Sequence, residues 1–219
     1  MRDLARAETL KWAFVAAAVS AALCFPRVLL WQGAPLPVWR LESILFLGSV
    51  VLWAFVFAWH HKYSGRPAFV LRPGWLPFIA ATLAGLLCAA GRRLLLDPAL
   101  RTLIPGYCPA TGTEWVAMLC FSLGFAQVML LFAPYAWSAR LLRSPGLAAG
   151  VTVLFGAFVL TLKVDSQEIA LPTPLFAALV LDRIIAGSLA VLLYLRGGIL
   201  LPSWMLFLAE VRLLPAWNG

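Results

Sequence analysis

The sequence predicts an all-α fold: a polytopic transmembrane helical bundle of about seven spans, with one further helix at or in the membrane surface. Composition is the first reason. Of 219 residues, 63% are hydrophobic and 12% are charged, too apolar for a water-soluble domain of this size. Patterning is the second. Residues 115–137 carry no charge, a run long enough to cross ~30 Å of hydrocarbon at about 1.5 Å per residue. The third is the placement of tryptophan. Trp12, Trp31, Trp39, Trp59, Trp75, Trp115 and Trp137 stand near the ends of apolar runs, as in the aromatic belts of membrane proteins. Barrel strands would alternate apolar and polar residues, and no such alternation is present.

The elements follow in order as a single integral membrane domain over 1–219. Arg2, Arg6 and Lys11 precede a first span at 12–31 that contains Pro26 and ends near Arg27. The segment resembles a signal peptide, but the absence of a small-x-small cleavage site predicts an uncleaved span. A second span covers 41–59, and a basic loop from His60-His61-Lys62 to Arg72-Pro73-Gly74 leads to a short third span at 75–91. Residues 92–101 read as an amphipathic helix that either lies on the membrane or enters it, and Pro105 to Pro109 reads as a turn. Spans four and five, 115–137 and 147–162, form a hairpin around Arg140, Arg143 and Ser144-Pro145-Gly146. Ala148, Thr152 and Gly156 make a small-residue stripe suited to close helix approach. An acidic loop with Asp165 and Glu168, a sixth span at 175–195, and a short seventh at 199–214 carrying Glu210 and Arg212 complete the chain.

The net charge of +8 comes from 14 arginines and three lysines scattered between apolar runs. That dispersion favours lipid headgroups as partners and gives no nucleic-acid surface. Nine of the 17 basic residues fall on one side, Arg2, Lys62, Arg140 and Arg196 among them. The bias predicts a cytoplasmic N-terminus; the membrane expected is a bacterial inner membrane. Cys24, Cys88 and Cys120 lie in spans and Cys108 in a loop, with no disulfide or metal-binding spacing.

Few residues offer chemistry. Asp182 and Arg183 are the main intramembrane polar candidates. Asp182 shares a helical face with Ala178, Ala186 and Ala190, so it points toward a neighbouring helix. An ionisable group there is either a proton or ligand site, or a bridge to a basic side chain on another span. His60 and His61, at the end of span two, are weak candidates for ligating haem or a pigment. Cys108 is a loop thiol six residues before Glu114, with no histidine anywhere after His61 to serve as its base. No metal site is expected and no intrinsic cofactor is indicated.

Over about 115–214 the order of features resembles the CAAX-protease and bacteriocin-processing family of intramembrane glutamic peptidases. Residues 132–143 look like the segment after the family's Glu-Glu-x-x-x-Arg motif, 154–159 like its Phe-x-x-x-His helix, and 193–204 like the run before its third motif. The resemblance implies a helical frame but not the activity. Val128 and Met129 stand where the glutamates belong and Ala133 where the arginine belongs; Val159, Phe207 and Val211 replace the remaining polar positions. With no glutamate between Glu114 and Glu168, a glutamate-activated water cannot be assembled in this half. A thinner similarity, to exosortase-type transpeptidases, rests on Cys108 preceding a helical hairpin.

These readings point to a non-enzymatic integral membrane subunit or assembly factor of a larger membrane complex, partnered by lipid and other membrane proteins. The alternatives are an active peptidase, transpeptidase or transporter using Asp182 or Cys108, and a haem- or pigment-binding subunit using His60 or His61.

Overall fold

The structure, a computed structural model, describes residues 4, 6–31, 36–70, 72–104, 106–166 and 171–215. Among these residues every regular element is helical. We number the helices α1 (Ala7–Leu29), α2 (Val38–Ser64), α3 (Trp75–Leu95), α4 (Asp97–Leu103), α5 (Gly112–Leu142), α6 (Pro145–Ser166), α7 (Thr173–Gly197) and α8 (Leu200–Val211). Six of them, all but α4 and α8, are long and apolar enough to cross a membrane. Their outward faces are what lipid selects: Leu76, Leu87, Leu94 and Leu95 are each more than 70% exposed. The chain is an integral membrane protein in contact with the bilayer.

Several boundaries differ from the sequence reading. The seventh apolar run yields only the 12 residues of α8, about 18 Å of helix and too short to cross the hydrocarbon. Residues 92–95 do not begin a surface helix; they finish α3, and α4 starts at Asp97 with Asp97 and Leu100 buried. His60 and His61 stand inside α2, which ends at Gly65 in the left-handed conformation. Asp165 belongs to α6, whereas Glu168, Arg2 and Pro105 lie outside the described residues.

The chain divides into two compact units, residues 1–68 with 113–148 and residues 69–112 with 149–219. The two arms of the hairpin expected over 115–163 therefore fall largely in different units.

The first unit packs α1, α2 and α5. On α1, Ala13, Ala17, Ala21, Cys24 and Val28 are buried along one face, and their small side chains let α2 approach closely. Trp53 of α2 donates its indole N–H to Ser20 Oγ of α1 at 2.9 Å. Where α5 meets α1, a Cβ on Gly124 would stand 2.8 Å from Leu23 Cβ and 3.1 Å from the Ser20 carbonyl, so only glycine fits. The helix α5 contains two π-helical turns, Ser122–Ala126 and Val128–Phe132, just before Pro134. Proline has no N–H, and its ring clashes with the carbonyl four residues back, so the backbone widens there.

In the second unit α3 and α8 touch most closely. A Cβ on Gly85 would lie 2.8 Å from both Leu208 Cβ and the Met205 carbonyl. Around this contact Ala81, Ala84 and Cys88 of α3 pack with Ala186 and Leu193 of α7 and with Leu201, Met205 and Ala209 of α8. Trp204 of α8 stacks on Phe78 and donates to Thr82 Oγ1 at 2.9 Å, so its one polar atom is satisfied.

Candidate functional site

The close crossing of α3 and α8 brings charged residues together at one end of the second unit. Arg92 lies in the last turn of α3, Asp182 within α7, and Glu210 and Arg212 at the end of α8. Arg92 Nε donates to Asp182 Oδ1 at 3.1 Å and Oδ2 at 3.0 Å, while Nη2 is 3.0 Å from Oδ2. Its Nη1 is 3.8 Å from Glu210 Oε1, which Arg212 Nη1 also approaches, at 3.7 Å. Arg212 Nε then meets Asp97 Oδ2 at 3.2 Å, and Tyr107 donates to Asp97 Oδ1 at 2.8 Å. Arg212 closes this end, reaching the Tyr107 hydroxyl at 3.3 Å and the Ala209 carbonyl at 2.6 Å. That carbonyl is in the last turn of α8, where no helical N–H remains to bond it.

The result is a chain of alternating charge, Asp182, Arg92, Glu210, Arg212, Asp97, ending on the Tyr107 phenol. With Arg183 it holds three guanidinium groups and three carboxylates, so the cluster is neutral. Asp97 and Arg212 are nearly inaccessible, with side chains 1% and 6% exposed. Burial pushes the Tyr107 phenol up to about 12; Arg212 opposes this, and the hydrogen bond to Asp97 adds to it. For Arg212 burial works against the charge, but Glu210, with Tyr107 and Asp97, outweighs it and raises the group above its ordinary value.

Arg183 turns the other way from Asp182. Its Nε donates to the Gly156 carbonyl at 3.3 Å, and a Cβ on Gly156 would sit 3.1 Å from Nη2. The glycine of the α6 small-residue stripe thus makes room for a guanidinium, where a neighbouring backbone was expected.

No protein-family model, curated protein or solved structure matches the chain. Its geometry must therefore carry the functional argument.

The remaining candidates are spread across both units. His60 is fully buried in the first unit, its ring 5.6 Å from that of Tyr135, while His61 is exposed. Beside it, Trp59 stacks on Phe55 at 4.8 Å and receives the Arg140 guanidinium 4.1 Å above its ring. Cys108 is half-buried in the second unit, whose sequence contains no histidine. Val128 and Ala133 are buried in the first unit and Met129 is exposed there; Val159, Phe207 and Val211 are partly buried in the second. Among the described residues no group of three or more His, Cys, Asp or Glu side chains could hold a metal ion.

Sequence reasoning singled out Asp182 but missed its partner. Arg92 and Asp97 read as parts of a surface helix, and Glu210 and Arg212 as ordinary charges at a span end. One signal was available: a carboxylate inside an apolar run requires a cation, and Arg92 stands at the end of such a run.

Proposed function

We propose that the protein is a non-catalytic integral membrane subunit or assembly factor of a larger membrane complex. In this reading it has a catalytically degenerate CAAX-protease-like frame and sits in a bacterial cytoplasmic membrane with its N-terminus inside. The observation that carries the reading is the grip of Arg92 on both oxygens of Asp182. A carboxylate held this way joins α3 to α7, and its lone pairs are committed to a guanidinium instead of a substrate or a proton relay. Asp97 is committed in the same manner to Arg212 and Tyr107. Cys108 has no imidazole in its own unit to activate it. His60 is fully buried with its ring against Tyr135, so neither ring nitrogen is presented at the surface of the protein.

The test is purification from the native membrane in mild detergent, with mass spectrometry and an absorbance spectrum of the eluted peak. The expected result is a stoichiometric set of partner proteins that persists in whatever Asp182→Asn protein accumulates. Elution of the chain alone, together with peptide cleavage abolished by Asp182→Asn or Cys108→Ser, would overturn the reading. A visible absorbance band lost on His60→Ala would replace it with cofactor binding.

A further inference from the structure

The ion-pair chain accounts for the charges of the second unit but not for the polar side chains buried in the first. On α2, Glu42, Ser49, Trp53 and His60 follow at intervals of seven, four and seven residues. At about 100° per residue Ser49 and Trp53 stand within about 20° of Glu42 on one helical face, and His60 follows, fully buried, at the end of the π-helical turn Val56–His60. From Glu42 to His60 the face runs about 27 Å, close to the ~30 Å thickness of a hydrocarbon core.

Polar groups recur along this face. At one end Glu42 Oε2 is buried with no hydrogen-bond partner. Cys24 of α1 lies within its electrostatic reach, and Cys120 of α5 within that of Cys24. Ser49 is fully buried and its hydroxyl has no partner, although a serine in an apolar helix can bond the carbonyl four residues back. Next comes Ser20 of α1, receiving the Trp53 indole. Gly124 of α5 packs on the Ser20 carbonyl, and the buried amide of Gln127 follows one turn later. At the far end His60 faces Tyr135, which is fully buried and within electrostatic reach of Arg66, and exposed His61 adjoins His60.

Packing alone does not call for this arrangement, because a hydroxyl or carboxyl taken into an apolar interior costs free energy unless it is bonded. The backbone is also modified here. All three π-helical turns of the described residues lie in this unit, one ending at His60 and two on either side of Gln127, and such turns recur at functional sites.

We propose that the first unit conducts protons across the membrane along this face of α2, between a port at Glu42 and a port at His60 and His61. The Glu42 carboxylate takes up a proton at one side, and at the other the His60 imidazole accepts one at one ring nitrogen as it gives one up from the other. Between them the hydroxyls of Ser49, Ser20 and Tyr135 and the Gln127 amide line the way. Water bridges the two-turn gaps, drawn in by the unpartnered Ser49 hydroxyl and Glu42 carboxylate oxygen. Each relay group or water accepts one proton and gives up another, so only O–H and N–H bonds form and break, and only the proton's charge crosses. The conduction goes beyond the subunit reading and does not depend on it.

The test is proton flux into vesicles of phosphatidylcholine and phosphatidylglycerol holding the full chain and a trapped pH-sensitive dye, driven by a potassium diffusion potential. The expected result is acidification several-fold faster than in protein-free vesicles. It should fall to the protein-free rate in Glu42→Gln, persist in Glu42→Asp, and be unchanged in Glu114→Gln. Flux at the protein-free rate in the unmodified chain, or full flux in Glu42→Gln, overturns the proposal. If Glu42→Gln does not insert, a hydrophobic carbodiimide on the unmodified protein decides. Glu42 modification located by mass spectrometry should abolish flux, and undiminished flux at complete modification overturns the proposal.

Discussion

Arg92 and Asp182, 90 residues apart in sequence, meet side-on, with Arg92 Nε 3.1 and 3.0 Å from the two carboxylate oxygens and Nη2 3.0 Å from Oδ2. Each makes the other tolerable in an apolar span. Arg92→Met alone leaves Asp182 without the guanidinium that grips it, and Asp182→Asn leaves Arg92 with only Glu210, 3.8 Å away; breaking buried pairs in water-soluble proteins costs about 3–5 kcal/mol. Interhelical polar contacts in membranes are worth less, about 0.6–2 kcal/mol, so we expect single-variant losses of about 2 kcal/mol. The double variant should lose clearly less than the sum. Thermal unfolding in detergent over the double-mutant cycle reads this, and strictly additive losses would show that the pair is not coupled.

Tyr107 makes the far end of the chain sensitive to alkali. Its folded value, about 12, lies above the value of about 10 for an unfolded tyrosine. Between those values the folded state holds the proton more tightly. The phenol's contribution is therefore fully present below pH 10 and is lost as pH rises toward 12. Tyr107→Phe should flatten the fall in melting temperature over that window while lowering stability at neutral pH, because Asp97 loses a donor. An unchanged alkaline slope in Tyr107→Phe would contradict the assignment.

The crossing that assembles the cluster depends on Gly85. Its Cβ position lies 2.8 Å from the Met205 carbonyl, a backbone atom that cannot step aside, whereas nothing lies within 4 Å of the same position at Gly91. Gly85→Val should cost more than 2 kcal/mol by the measure of overpacking, at about 1–3 kcal/mol, and should reduce folded yield. Gly91→Ala should be neutral or stabilising by up to about 1 kcal/mol through helix propensity. Equal melting temperatures for the two variants would mean that α3 and α8 do not pack as described.

How much of this was legible follows from the period of each signal. The spans were visible because a charge-free run of about twenty residues has few places to lie except a bilayer. α8 misled because its apolar composition continues past Val211, where the helix stops and Arg212 turns back onto the Ala209 carbonyl. His60 misled because His60-His61-Lys62 has the composition of a loop, while the helix persists with His60 inward and His61 outward. The ion-pair chain was the least legible part, since its members stand at positions 92, 97, 107, 182, 210 and 212 and no local pattern joins them. Only Asp182 announced itself, and only its fold neighbours reveal what it does. Glu42 carries no local signal either: a single carboxylate near the start of an apolar run shows its setting only when its helical face is followed to Ser49 and Trp53.

The Trp53 to Ser20 hydrogen bond offers a separate probe of the first unit. Ser20 is 2% exposed, so Ser20→Ala leaves the indole N–H without an acceptor in an apolar surrounding. The loss should be about 1–2 kcal/mol, the range for a buried donor left unsatisfied. Trp53→Phe removes the donor instead, at a cost in packing against Phe132, whose ring lies 6.3 Å away. In that background Ser20→Ala should cost almost nothing further, because the hydroxyl no longer has an indole to receive. Melting temperatures of the four proteins in one detergent decide it. A second loss of the same size in the Trp53→Phe background would mean that Ser20 acts through some other contact, and that the α1–α2 pairing is not held by this bond.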